Sequence, residues 1–261
     1  MQLFIVGPPR SGTTIVTQFL NHHGDIKIFD EIDLIQVGDF GETVVGKLQA
    51  FLQDRNAYEA YRRCARETAD PALALQAVMS ALARPHTVWG EKNPMYATRL
   101  DALKQSFPEA AILFVLRDPR EVVNSCLTHR DSPSRSRSDF WIKDTVGEAL
   151  ALIEACVAPL QGEGSEVAVL RYEAFVAEPR ATLDTALGPW GLTFSDTALP
   201  LAHAAPETVG DHQFYRRGAP LPWKVGNLSP LKRAPPSRDR FDDRDPAWAL
   251  VDALACELGY V

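Results

Sequence analysis

The chain has 261 residues and a mass of 28.8 kDa, 46% hydrophobic and 23% charged, which is enough to bury one sizeable core and excludes a disordered or collagen-like polymer. Its 27 basic and 34 acidic residues give a net charge of −7, so no nucleic-acid partner is expected and any anion recognition must rest on a local basic pocket. The longest apolar run, residues 110–116, falls far short of the roughly 20 residues of a membrane span, and the sequence opens into a strand-like run rather than a signal peptide. The four cysteines, Cys64, Cys126, Cys156 and Cys256, lie far apart with no CxxC pair, so the expectation is a cytoplasmic protein with no disulfide framework, zinc knuckle or membrane partner.

Short apolar segments alternate with helix-length ones and no fixed-period repeat is present, the pattern of one continuous α/β unit over residues 1–261. The first strand is expected at Leu3–Val6. It runs directly into Gly7-Pro8-Pro9-Arg10-Ser11-Gly12-Thr13-Thr14 and then a helical pattern over 15–22, with Ile15, Val16, Phe19 and Leu20 on one side. Gly7 and Gly12 keep the GxxxxG spacing that lets backbone N–H groups curl around a phosphate at the positive end of a helix. Where a nucleotide-hydrolysing loop carries Lys, this one has Thr13, and its only cation is Arg10. Nothing in the loop reaches a γ-phosphate as that lysine would. The composition suits a shorter anion chain, a phosphate joined to a sulfuryl group, cradled by amides, the Ser11, Thr13 and Thr14 hydroxyls and the Arg10 guanidinium. A glycine turn that caps a helix without a ligand is the plainer alternative.

A weaker strand over 26–29 leads into the acidic cluster Asp30-Glu31-Ile32-Asp33. Ala-, Leu- and Gln-rich stretches over 43–67 and 71–83 read as two consecutive helices, a helical insertion at about 36–84 that is a candidate acceptor lid. A strand over 87–89 is followed by Gly90-Glu91-Lys92-Asn93-Pro94. The most hydrophobic strand, Ala111–Leu116, precedes Arg117-Asp118-Pro119-Arg120, where Asp118 suits a helix cap and Pro119 a first helical position. Arg117 then stands at the carboxyl end of a strand and Ser125 about two turns into the helix, where ligands of open α/β sheets collect. Taken alone, that segment is equally a plain helix start with a local ion pair. Residues 131–138, DSPSRSRS, read as a loop, and 167–170 as the fifth strand. From Arg216 to Arg240 seven basic residues stand against one acid, Asp239. His22 and His23 end the first helix, and His86, His129, His203 and His212 show no metal-ligand spacing, so no metal is expected.

Together the loop PPRSGTT, the segment VLRDPREVVNS with Arg and Ser eight apart, and GEKNP between them resemble the sulfotransferases that use 3′-phosphoadenosine 5′-phosphosulfate (PAPS). The likeness is to the arm containing tyrosylprotein sulfotransferases and many bacterial sulfotransferases, over residues 3–31 and 88–130. It implies a P-loop-NTPase-like three-layer α/β/α fold with a central, mainly parallel sheet of about five strands. It also implies PAPS as donor, 3′-phosphoadenosine 5′-phosphate as coproduct and a hydroxyl-bearing acceptor. Pro9, Arg10, Ser11, Gly12, Thr13 and Thr14 match the 5′-phosphosulfate loop, and Arg117 and Ser125 match the 3′-phosphate pair. Arg216, Arg217 and Gly218 look like the element that closes over the 3′-phosphate in the cytosolic arm. Glu31, 21 residues after Arg10, matches the catalytic glutamate of the tyrosylprotein enzymes, with Asp30 and Asp33 as alternatives. Lys92 matches a lysine beside the transferring sulfuryl group, against the plainer reading of a strand-end partner for Glu91. The cytosolic arm's KTHLP segment is missing, so that arm's histidine base has no counterpart here and the base assignment rests on a carboxylate. A P-loop kinase or hydrolase, and a non-catalytic nucleotide-binding protein of the same fold, are the rival functions.

Overall fold

The computed structural model describes residues 1–35, 55–68, 71–128, 130, 141–161, 167–194, 215–216, 219–220 and 245–261. Among these residues, five parallel strands form the central sheet: β1 (Leu3–Val6), β2 (Ile26–Asp30), β3 (Val88–Lys92), β4 (Ala111–Leu116) and β5 (Ala168–Arg171), in the order β2-β3-β1-β4-β5. β1 and β4 are apolar and buried at every position because helices cover both faces of a parallel sheet. Their pairing aligns Leu3 with Ala111 and Val6 with Phe114.

Alternation along β1 sends Phe4 and Val6 to one face and Leu3 and Ile5 to the other. The Leu3 face is covered by α1 (Thr13–Leu20), α7 (Tyr172–Ala177) and α8 (Pro179–Leu187), through Val16, Phe19, Phe175, Leu183 and Leu187. The Phe4 face meets α3 (Pro71–Leu82), α4 (Leu100–Ser106), α5 (Pro119–Thr128), α6 (Val146–Val157) and α9 (Ala247–Glu257), through Met79, Leu103, Val123, Ile153 and Val251. Each such side chain contributes about 1.5–3 kcal/mol of burial. The layers are helix, sheet, helix, as expected.

Of the insertion, residues 36–54 lie outside those described. Its later part is α2 (Arg55–Thr68) packed against α3. Leu75, Val78 and Met79 of α3 are buried in the Phe4-face core, so this helix is part of the helical layer. A two-residue antiparallel pair, β6 (Tyr215–Arg216) with β7 (Ala219–Pro220), stands apart from the main sheet.

β3 runs past the apolar 87–89 segment through Gly90, Glu91 and Lys92. Two partner strands make that extension: Phe29 and Asp30 of β2 align with Glu91 and Lys92, and Ile5 of β1 aligns with Lys92. Gly90 faces the Leu3 carbonyl so closely that a Cβ would overlap it. Gly147, in the first turn of α6, has nothing within 4 Å of its Cβ position. Gly90→Ala is therefore expected to cost at least about 1–3 kcal/mol in urea unfolding, whereas Gly147→Ala is expected to be neutral or to stabilise by up to about 1 kcal/mol.

Candidate functional site

Parallel strands place all five carboxyl ends on one edge of the sheet, and with β1 in the middle, the loop after it is flanked by the ends of β3 and β4. The loop turns sharply: Ser11 N–H donates to Pro8 O at 3.1 Å, and Arg10 (φ 73°) and Gly12 (φ 99°) both adopt the left-handed region. Gly12 is needed for a packing reason too, since the Tyr172 ring occupies the space its Cβ would take. α1 begins at Thr13 with no side-chain cap at Gly12 and no acidic residue in its first turn. Its first amides are therefore oriented as an anion site. Ser11 Oγ is buried and has no hydrogen-bond partner among the described residues. A polar atom left this way costs free energy, and an anion bound to the loop would satisfy it.

Arg10 does not stay with the loop alone. Its Nε donates to Ser125 Oγ at 2.9 Å and its guanidinium lies 4.6 Å from the centre of the Trp141 ring. Arg117 donates from Nη1 to the Arg10 carbonyl at 3.2 Å, from Nη2 to Glu121 at 2.9 Å, and stacks 4.8 Å over the Tyr172 ring. The two segments expected to hold opposite ends of a nucleotide thus meet at Arg10 and Ser125. Burial, opposed by Cys126 and reinforced by the like charge of Arg117, draws the Arg10 guanidinium below its usual pKa. Burial likewise pushes the Glu121 carboxyl up, against the pull of Arg117. Two neighbouring guanidinium groups, a hydroxyl and open helix amides form a constellation suited to phosphate. Asp118 starts α5 as expected, accepting the Arg120 N–H at 2.9 Å, with the Arg120 guanidinium folded onto the same carboxylate.

Across β1, Lys92 ends β3 with its side chain 1% exposed. Its ammonium lies 2.5 Å from Asp30 and 2.6 Å from Glu31, so its partners are the last residue of β2 and the residue that follows it, and not Glu91. Burial works against the charge on Lys92, but Asp30 and then Glu31 overcome it and raise the pKa above the ordinary lysine value. The Glu31 side chain is 44% exposed while Asp30 is 8% exposed. Asp33, 18% exposed, is engaged by Arg99 at 3.2 Å. Glu31 and Asp33 are themselves in the left-handed region, at φ 49° and 72°.

Of the remaining expected residues, Arg216 lies in β6, with only its backbone described, and Arg217 and Gly218 lie outside the described residues. Trp141, Tyr172, Glu121 and Glu91 were not singled out from sequence. Tyr172 directly follows a strand end and Glu121 is four residues after Arg117, so strand-end position and helical spacing carry a signal for both. Trp141 carries none, because its contact with Arg10 is purely tertiary. Among the described residues no group of three or more His, Cys, Asp or Glu is placed to hold a metal, and no helix is long and apolar enough to cross a membrane.

Complete burial raises the Glu91 carboxyl from 4.5 to about 7, outweighing hydrogen bonds from Tyr96, Asp33 and Leu34 that favour its ionised form. A carboxyl raised on folding contributes stability that is whole below about pH 4.5 and is lost as the pH climbs to about 7. Glu91→Gln should flatten that part of the stability profile, measured by urea unfolding between pH 4.5 and 8.

A sequence model of the Sulfotransferase family matches residues 2–196. Protein-tyrosine sulfotransferase 2 of Gallus gallus is 25% identical over 204 residues, 76% of this chain; the chain spans about half, 53%, of that relative. Among solved structures, the sulfotransferase domain of the Synechococcus PCC 7002 olefin synthase superposes with a TM-score of 0.68 at 17% identity, covering all of this chain and 95% of that one. The sulfotransferase domain from the curacin biosynthetic pathway gives 0.56 at 16% identity, covering 99% and 97%. Both share the fold. With a family model matching three quarters of its length and a fold shared with two sulfotransferase domains, the chain belongs to the sulfotransferase family.

Proposed function

We propose that this protein moves the sulfuryl group of PAPS to an acceptor hydroxyl by in-line displacement, with Glu31 as general base and no metal. The observation that carries the reading is the convergence of Arg10, Ser125 and Arg117 on one side of β1 with the Glu31–Lys92 pair on the other. Bound PAPS supplies a sulfuryl group activated by its link to a phosphate. The Thr13 and Thr14 amides at the start of α1, the Ser11 hydroxyl and the Arg10 guanidinium would hold the 5′ end, and Arg117 with Ser125 the 3′-phosphate. Arg216, Arg217 and Gly218 would complete the 3′ side. The Arg10–Ser125 contact places the loop's cation at the junction of these two groups, so binding requires Arg10 to exchange or share Ser125 with the nucleotide.

Among the three acidic candidates, exposure favours Glu31. Asp30 is nearly enclosed with Lys92 and Asp33 is held by Arg99, whereas Glu31 is open to an incoming hydroxyl. Glu31 accepts the hydroxyl proton, and the Lys92 cation beside it opposes the negative charge that grows on the sulfuryl and bridging oxygens. Asp30 keeps Lys92 compensated when Glu31 takes up a proton. The curated relative's name makes a tyrosyl hydroxyl the first acceptor to try. All four cysteines are free thiols, which supports a reducing, cytoplasmic setting.

The test is transfer from labelled PAPS to a panel of 4-nitrophenol, a tyrosyl peptide, a primary alcohol and a sugar, read by mass gain of one sulfuryl group. Glu31→Gln should lower turnover by about 10²- to 10⁴-fold with donor affinity nearly intact. Wild-type turnover in that variant would move the base elsewhere.

A further inference from the structure

Next to Lys92 on β3, and directed to the other face of the strand, stands a second buried charge. Glu91 is fully enclosed. Its carboxylate accepts the backbone N–H of Asp33 at 2.5 Å and of Leu34 at 3.0 Å, together with the Tyr96 hydroxyl at 2.6 Å. Tyr96 Oη in turn accepts the Ile35 N–H at 3.2 Å. Three consecutive backbone amides, 33 to 35, are thereby tied to two side chains of the segment 91–96. These amides close the turn that carries Glu31.

That turn needs holding. Glu31 and Asp33 are non-glycine residues with φ of 49° and 72°, a conformation that side chains disfavour and that persists only when its surroundings over-determine it. Upstream, Glu31 N–H donates to Lys92 O at 2.9 Å, so the turn is pinned at its start by the β3 backbone and at its finish by Glu91 and Tyr96. With both ends fixed, the backbone presents the Glu31 carboxylate to the Lys92 ammonium, 2.6 Å away. Asp33 and Tyr96 are the titratable groups that act on Glu91 itself.

We propose that Glu91, through Tyr96 and the amides of residues 33–35, is a positioning residue for Glu31: it holds the left-handed turn that presents the Glu31 carboxylate at the end of β3. The proposal rests on the role of Glu31 as base. A purely structural Glu91 would lower activity by the same factor whether or not Glu31 is functional, whereas a positioning residue has nothing left to position once Glu31 is disabled.

A double-mutant cycle separates the two. Glu91→Gln, Tyr96→Phe, Glu31→Gln and the pairings of each of the first two with Glu31→Gln are compared in kcat, donor KM and the Kd of 3′-phosphoadenosine 5′-phosphate, using labelled PAPS and the panel acceptor with the highest wild-type turnover. Glu91→Gln and Tyr96→Phe should each lower kcat about 10- to 100-fold, leave the coproduct Kd within about twofold, and lower kcat no further in the Glu31→Gln background. Should Glu91→Gln fail to fold, Tyr96→Phe carries the same cycle, because its ring keeps its contacts with Phe4 and Arg99. Unchanged kcat in Tyr96→Phe and Glu91→Gln, or an equal loss in both backgrounds, would overturn the positioning role while the base reading stands. Wild-type kcat in Glu31→Gln alone would remove the base reading, and with it the positioning of that base.

Discussion

The buried ammonium of Lys92 is the constraint around which one half of the site is organised. An amine that is 1% exposed is tolerable only with close counter-charges, and the sheet register supplies them by aligning Asp30 with Lys92 and letting the chain turn back immediately so that Glu31 also reaches it. The turn this requires is strained at Glu31 and Asp33, and Glu91 compensates from the opposite face of the strand. Adjacent charges on β3 therefore serve one purpose by different routes. Lys92 attracts the Glu31 carboxylate, and Glu91 fixes the backbone from which that carboxylate projects.

The other half depends on β1 lying between β3 and β4. Because β4 is the strand that pairs along β1 on that side, the loop of residues 7–12 and the start of α5 are neighbours, although more than a hundred residues separate Arg10 from Ser125. Arg10, Arg117 and the open start of α1 gather positive potential in a protein whose net charge is −7. Like-charged guanidiniums in a half-buried place are costly unless something anionic shares them; Glu121 and the Trp141 and Tyr172 rings offset part of that cost. A phosphate would offset more.

Much of this is legible in the amino-acid sequence alone. β1 and β4 coincide with their apolar runs because both faces of a central parallel strand are buried, and Asp118-Pro119 began α5 because capping chemistry is local. The loop's turn was likewise foreshadowed by its GxxxxG spacing, whereas the left-handed conformation of Gly12 is seen only in the structure. β3 was legible only in its first residues, since Glu91 and Lys92 are poor strand formers whose presence depends on tertiary partners. Lys92 paired with Asp30 and Glu31 rather than its chain neighbour Glu91, because adjacent residues of a strand face opposite ways. Trp141 over Arg10 and the Tyr172 ring beside Gly12 arise from packing between distant segments and leave no local pattern to read.

In the function proposed, Arg10, Ser125 and Arg117 form one grip on a nucleotide bearing a 3′-phosphate, independent of any metal. Calorimetric titration in magnesium-free buffer tests it most directly, with 3′-phosphoadenosine 5′-phosphate compared against 5′-AMP for the wild type and Arg117→Ala. The wild type is expected to bind the 3′-phosphorylated nucleotide more tightly than 5′-AMP, and Arg117→Ala to erase this preference with a loss of about 10- to 100-fold. Equal affinity for the two nucleotides in the wild type, or an Arg117→Ala variant that keeps full affinity for the 3′-phosphate, would contradict it.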